Sequence, residues 1–152
     1  IFVGFMLIIT GLILYLTEQR GKKGNKLAYP SFVDALVIGC GQAVAILPGI
    51  SRSGTTISVG LLRGLDRTSA ARFSFLLAIP AILGALVFSL GDLLAGSTTL
   101  SLSSLGAGLV ASALTGYFAI RFFLDMVRKG RLVWFSYYTW IVGALVIVLH
   151  LT

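Results

Sequence analysis

Acidic residues are scarce: the 152-residue chain has Glu18, Asp34, Asp66, Asp92 and Asp125 against twelve Lys and Arg. No acid lies within ten residues of Arg52 on either side, and the one histidine, His150, is far from it in sequence. A general base or a metal ligand next to Arg52 in sequence is therefore excluded. A single cysteine, Cys40, excludes an internal disulfide, and its apolar neighbours predict a small buried hydrophobe. Charge of either sign makes up only 11% of the chain against 57% hydrophobic residues, and the mean hydropathy is +1.00. An ordinary water-soluble domain does not carry that balance, so the chain is predicted to be an integral membrane protein with the lipid bilayer as its partner. The net charge of +7 does not predict a nucleic-acid partner, because the cations fall in short runs between apolar segments. The chain also lacks an initiator Met and a charged leader, opening at Ile1-Phe2-Val3 inside an apolar run. It is expected to start inside a longer protein, with an N-terminal half missing.

What is present is a series of apolar runs. Residues 1–17 are about the shortest length that crosses a hydrocarbon core of about 30 Å. Glu18 to Tyr29 carries Arg20, Lys22, Lys23 and Lys26 and is expected to be a cytoplasmic loop. Ser31 and Asp34 have the spacing of a helix N-terminal capping pair. The helix they open is stopped by Pro48-Gly49, and a short apolar run, Ile57 to Leu62, follows. Residues 31–62 are too interrupted for one span and too short for two, which predicts a re-entrant, broken-helix hairpin. Residues 73–90, with Pro80 as a kink, 104–124 and 133–151 are the remaining spans, the last opening on Trp134, Tyr137, Tyr138 and Trp140 as an interfacial belt. Gly91 to Ser103, with Asp92 its one charge, is the extracytoplasmic connection. All cationic loops share one side only if 31–62 enters and leaves from the same face. The fold class is all-α integral membrane, a helical bundle in one domain.

The polar string Pro48-Gly49-Ile50-Ser51-Arg52-Ser53-Gly54-Thr55-Thr56 sits at the hairpin tip. A charged Arg at membrane depth costs on the order of 3 kcal/mol, so Arg52 needs a partner, a water-filled cavity or a ligand. Its neighbours are small and hydroxylated, at the expected N-terminus of the resuming helix. Free amides, the positive end of the helix dipole and a guanidinium all favour a phosphate or another oxyanion. The alternative is a polar tip packed on its neighbours, with Arg52 snorkelling. Arg63, Arg67 and Arg72 are expected to face headgroups, with an Asp66 pairing as the alternative, and Arg121 with Asp125 to form a local i, i+4 pair.

These residues carry a resemblance. Ile38-Gly39-Cys40-Gly41-Gln42-Ala43, Leu47 through Thr56, Gly64-Leu65-Asp66-Arg67 and Ala71 through Pro80 resemble the second half of the undecaprenyl-diphosphate phosphatase, or bacitracin-resistance, family. The resemblance covers essentially the whole chain. It implies hydrolysis of undecaprenyl diphosphate, a polyprenyl diphosphate lipid, to the monophosphate carrier of cell-wall precursors. It also implies two inverted repeats whose hairpin tips meet, in the bacterial inner membrane, in a pocket open to the extracytoplasmic side. By motif, Ser51, Arg52 and Thr56 are the implied catalytic residues, with Ser53, Gly54 and Thr55 joining Arg52 and Thr56 in phosphate binding. Ser51 is either the nucleophile or a positioning hydroxyl.

The implied divalent cation, Mg or Ca, and its glutamate ligands belong to the family's first repeat, as does its histidine. Gln42 stands roughly where that repeat has a glutamate, and an amide is no base. Metal ligands are therefore expected outside this chain, and residues 1–152 alone are expected to be inactive. His150 is expected to be an interfacial residue. Two other readings remain open: a transporter or flippase for an anionic substrate, because broken helices aimed at an anion are also a transporter design, and a helical scaffold without a ligand.

Overall fold

A computed structural model describes residues 1–21, 27–94 and 101–151. They form six helices: α1 (Phe2–Gly21), α2 (Phe32–Val44), α3 (Arg52–Leu62), α4 (Arg67–Leu94), α5 (Leu102–Arg128) and α6 (Leu132–Leu151). Four of these, over Phe2–Arg20, Arg67–Gly91, Ser103–Arg128 and Leu132–Leu151, are long and apolar enough to cross a membrane. The outer faces carry large exposed apolar side chains, including Phe5, Leu12, Leu86, Phe88 and Phe122. Such a surface suits lipid and not water. The chain is an all-α, multi-pass integral membrane protein. At 13 and 11 residues, α2 and α3 reach only about 20 and 16 Å, short of a crossing.

The first and last helices clasp each other. Gly4 and Gly143 let the backbones of α1 and α6 meet, since a Cβ on Gly143 would lie 2.9 Å from the Gly4 carbonyl oxygen. Small residues are what close helix packing in lipid requires. Trp140 Nε1 donates to the Ile8 carbonyl at 3.1 Å, and its ring packs at a tilt on Tyr15 and edge-to-face on Tyr137. Trp140 is thus a helix-packing residue, while Trp134, Tyr137 and Tyr138 are exposed.

Ion pairs and backbone bonds close the base of the α2–α3 pair. Ser31 and Asp34 form the expected capping box, and Arg63 Nε donates to Asp34 Oδ1 at 2.7 Å. This pins the exit of α3 to the entrance of α2. Leu27 donates its N–H to Gly64 O at 3.2 Å, and Asp66 donates to Leu27 O at 3.0 Å. Beside them Arg67 grips Glu18, under the α5–α6 turn at Gly130. The end of α1, the turn after α3 and the α5–α6 turn therefore lie side by side.

Several boundaries and pairings differ from the sequence expectations. Glu18 belongs to α1 and not to a loop, because Arg67 neutralises it inside the protein. Arg63 and Arg67 are ion-paired to Asp34 and Glu18 rather than to Asp66. Asp66 instead caps α4, accepting from the amides of Thr68 at 2.9 Å and Ser69 at 3.0 Å. That cap starts α4 six residues before the expected Phe73. Asp125 pairs with Lys129, not Arg121, and Arg121 donates to the Tyr117 hydroxyl. Cys40 is exposed on α2 rather than buried. The loop cations Lys22, Lys23 and Lys26, and residues 95–100 of the expected extracytoplasmic connection, lie outside the described residues.

Candidate functional site

The break between α2 and α3 rests on the first half of α1. Gly49 has φ +97°, and a Cβ there would come within 2.7 Å of the Val3 carbonyl oxygen and 2.8 Å of Met6 Cβ. Both the backbone and the contact demand glycine. Thr10 Oγ1 donates to Gly49 O at 3.1 Å and accepts from the Ser51 N–H at 3.2 Å. Thr10 stands eight residues from Glu18 along α1, or about 12 Å along the helix axis.

Ser51 is the N-cap of α3, with its hydroxyl accepting from Gly54 N at 3.1 Å and its carbonyl from Thr55 N at 2.9 Å. The next two amides, of Arg52 and Ser53, have no acceptor among the described residues. They are the orphan donors of a helix start, and the dipole adds positive potential there. Arg52 is exposed, and its guanidinium has no hydrogen-bond or ion-pair partner among the described residues. One short stretch thus offers two free amides, a free guanidinium and the O–H of Ser51, whose oxygen is held by Gly54. All are donors. The arrangement suits an anion with several oxygens, such as a phosphate.

The six motif residues divide into two groups. Arg52 is exposed and Ser51 and Ser53 are half-buried, within reach of a ligand. Gly54, Thr55 and Thr56 are buried. Thr56 Oγ1 is 2.9 Å from Arg52 O, 3.3 Å from Ser53 O and 2.6 Å from Ser74 Oγ on α4. Its hydroxyl is occupied inside the protein, where it holds the first turn of α3 against α4. Ser53 also borders an apolar cavity of about 190 Å³ lined by Phe75, Ala119, Ile120 and Phe123. Gln42 Oε1 is buried without a donor among the described residues. His150, exposed near the end of α6, is ten residues beyond Trp140, or about 15 Å along the axis.

Thr10 and Ser74 were missed by sequence reasoning. A lone hydroxyl in an apolar run has no pattern to mark it; only the fold brings these two to the motif. No group of three His, Cys, Asp or Glu side chains among the described residues could hold a metal ion. The donors at the break and the Arg52 charge repel a cation, so these residues do not fit one.

A family model described as Bacitracin resistance protein BacA matches residues 1–145. The chain belongs to this family. Among BacA relatives, the undecaprenyl-diphosphatase of Carboxydothermus hydrogenoformans is 49% identical over 151 residues, covering 97% of this chain and 58% of the relative. That of Halothermothrix orenii is 48% identical over 148 residues, covering 97% and 57%. The one from Methanothermobacter thermautotrophicus is 45% identical over 148 residues, covering 95% and 81%. The chain thus spans a little over half the length of the first two relatives.

Proposed function

We propose that this chain forms a phosphate-binding part of a membrane phosphatase that hydrolyses undecaprenyl diphosphate to undecaprenyl phosphate and inorganic phosphate. The observation that carries the reading is the unpartnered Arg52 guanidinium beside the two free amides of α3, at the break of a half-length hairpin. The names and identities of the BacA relatives support the substrate.

In this reading Arg52 and the Arg52 and Ser53 amides grip the terminal phosphate and stabilise the negative charge that builds on its oxygens during transfer. Water supplies the hydroxyl that ends on the released phosphate, and the lipid monophosphate leaves with the bridging oxygen. Ser51 donates its O–H to a phosphate oxygen and positions it. Its lone pair is engaged by Gly54 N, which makes it a poorer nucleophile. Thr56 acts from behind, holding the turn. The general base and the ligands of the Mg or Ca ion that the resemblance implies come from groups outside this cradle, on a facing repeat of inverted topology. The site opens to the extracytoplasmic side of the bacterial plasma membrane.

The test is phosphate release from a polyprenyl diphosphate by the purified polypeptide as its gene encodes it, in detergent. Detergent removes any gradient, so release supports a hydrolase. Binding without release would favour carriage of the lipid and sink the phosphatase reading.

A further inference from the structure

We infer that Thr10 is a positioning residue for the anion cradle, aiming the first turn of α3 by bonding to both sides of the hairpin break. The role rests on the phosphatase reading above. Thr10 is 2% exposed. Its single hydroxyl donates to Gly49 O and accepts from Ser51 N, across 39 and 41 residues of sequence. Both backbone groups meet this buried hydroxyl inside the protein, so its removal leaves each without that partner.

The geometry requires a small group that donates and accepts at once. Gly49 is pressed against Val3 and Met6, and Gly11, next to Thr10, against Trp140. A larger amide side chain has no room, and an apolar one satisfies neither group. From Thr10 the constraint passes to Ser51, whose hydroxyl and carbonyl hold the amides of Gly54 and Thr55. It therefore sets the direction of the free Arg52 and Ser53 amides. On the opposite side the Thr56–Ser74 bond fixes the same turn to α4. With Thr10 removed, that second anchor keeps α3 in place while the break is free to rotate. The cradle is then mis-aimed, not lost.

The test compares Thr10→Val, which keeps the shape without the hydroxyl, with Thr10→Ser, which keeps the hydroxyl, in the polypeptide as its gene encodes it. Rates are taken well below the melting temperature, per folded molecule. Thr10→Val is expected to lose kcat by about a hundredfold, the scale of a small misplacement of reacting groups. Thr10→Ser should stay within about threefold of the parent, because it restores both bonds. Amide hydrogen exchange over residues 49–56 should be faster in Thr10→Val and parental in Thr10→Ser. Parental turnover in Thr10→Val, or equal losses in both variants, would overturn the inference.

If the parent polypeptide releases no phosphate at all, the phosphatase reading is what fails. The exchange comparison then decides Thr10 alone, with equal protection in the two variants overturning it. If Thr10→Val does not accumulate, Thr10→Cys takes its place. Its thiol is a weak donor and acceptor in nearly the same space, and activity equal to that of Thr10→Ser would count against the role.

Discussion

Arg67 donates from both terminal nitrogens to the two oxygens of Glu18, each at 2.8 Å, across 49 residues of sequence. The carboxylate is 1% exposed and the guanidinium side chain 20%. This fork ties the end of α1 to the start of α4, under the turn at Gly130.

Removing one partner leaves the other charge uncompensated, so Arg67→Ala is expected to cost about 3 kcal/mol of stability. Replacing both, as Glu18→Met with Arg67→Met, should recover most of that loss, because no lone charge remains buried. Thermal unfolding in detergent measures both. A single variant as stable as the parent would show that the fork contributes nothing.

Arg52→Ala should reduce phosphate release by at least about a hundredfold, and Arg52→Lys should recover little of it. A point charge lacks the planar fork that grips two phosphate oxygens. Melting should hardly change, since Arg52 has no partner to lose among the described residues. Near-parental turnover in the Lys variant would remove Arg52 from the clamp.

Ser51→Ala separates two roles for one hydroxyl. The lost cap should cost about 1 kcal/mol of stability, and a residual rate well above background is expected if the hydroxyl orients the phosphate. Complete loss of turnover in a folded variant would instead make Ser51 the nucleophile.

The base of the hairpin should respond to acid. Bonds from Ser31, and then from Arg63, hold the Asp34 carboxyl at about 2, below its usual 3.8. A pKa lowered by folding adds stability that is complete above the unfolded value and is lost as pH falls through the folded one. The stability difference between the parent and Asp34→Asn should therefore be constant from neutral pH down to about 5 and shrink between about 4 and 2. Melting temperatures across that range measure it, and a constant difference down to pH 2 would contradict the assignment.

The features read correctly from sequence are those written in local pattern. Pro48-Gly49 marks the break, Ser31 and Asp34 the cap of α2, and the apolar runs the four long helices. The capping role of Asp66 was not read from sequence, because the arginines around it drew attention from the amides of Thr68 and Ser69 that it accepts from. The Glu18–Arg67 and Asp34–Arg63 pairs join residues 49 and 29 apart, a separation that no helical period encodes. At the site, the motif disclosed the donors, but which hydroxyls face a ligand depended on packing. Thr56 turns toward Ser74, a neighbour that only the placement of α4 supplies.

The clasp between α1 and α6 has a consequence for how the protein is made. The glycine face of α1 at Gly4 and Gly11 receives its partner only when α6, the last of the six helices, has been synthesised. Closing a contact over so many residues is slow compared with forming neighbouring helix pairs. Until then the same face must be covered by lipid or by the insertion machinery, while the Thr10 side of α1 can already receive the hairpin. Slowing translation just before residue 132 should lengthen the life of an intermediate with the cradle in place and the clasp still open.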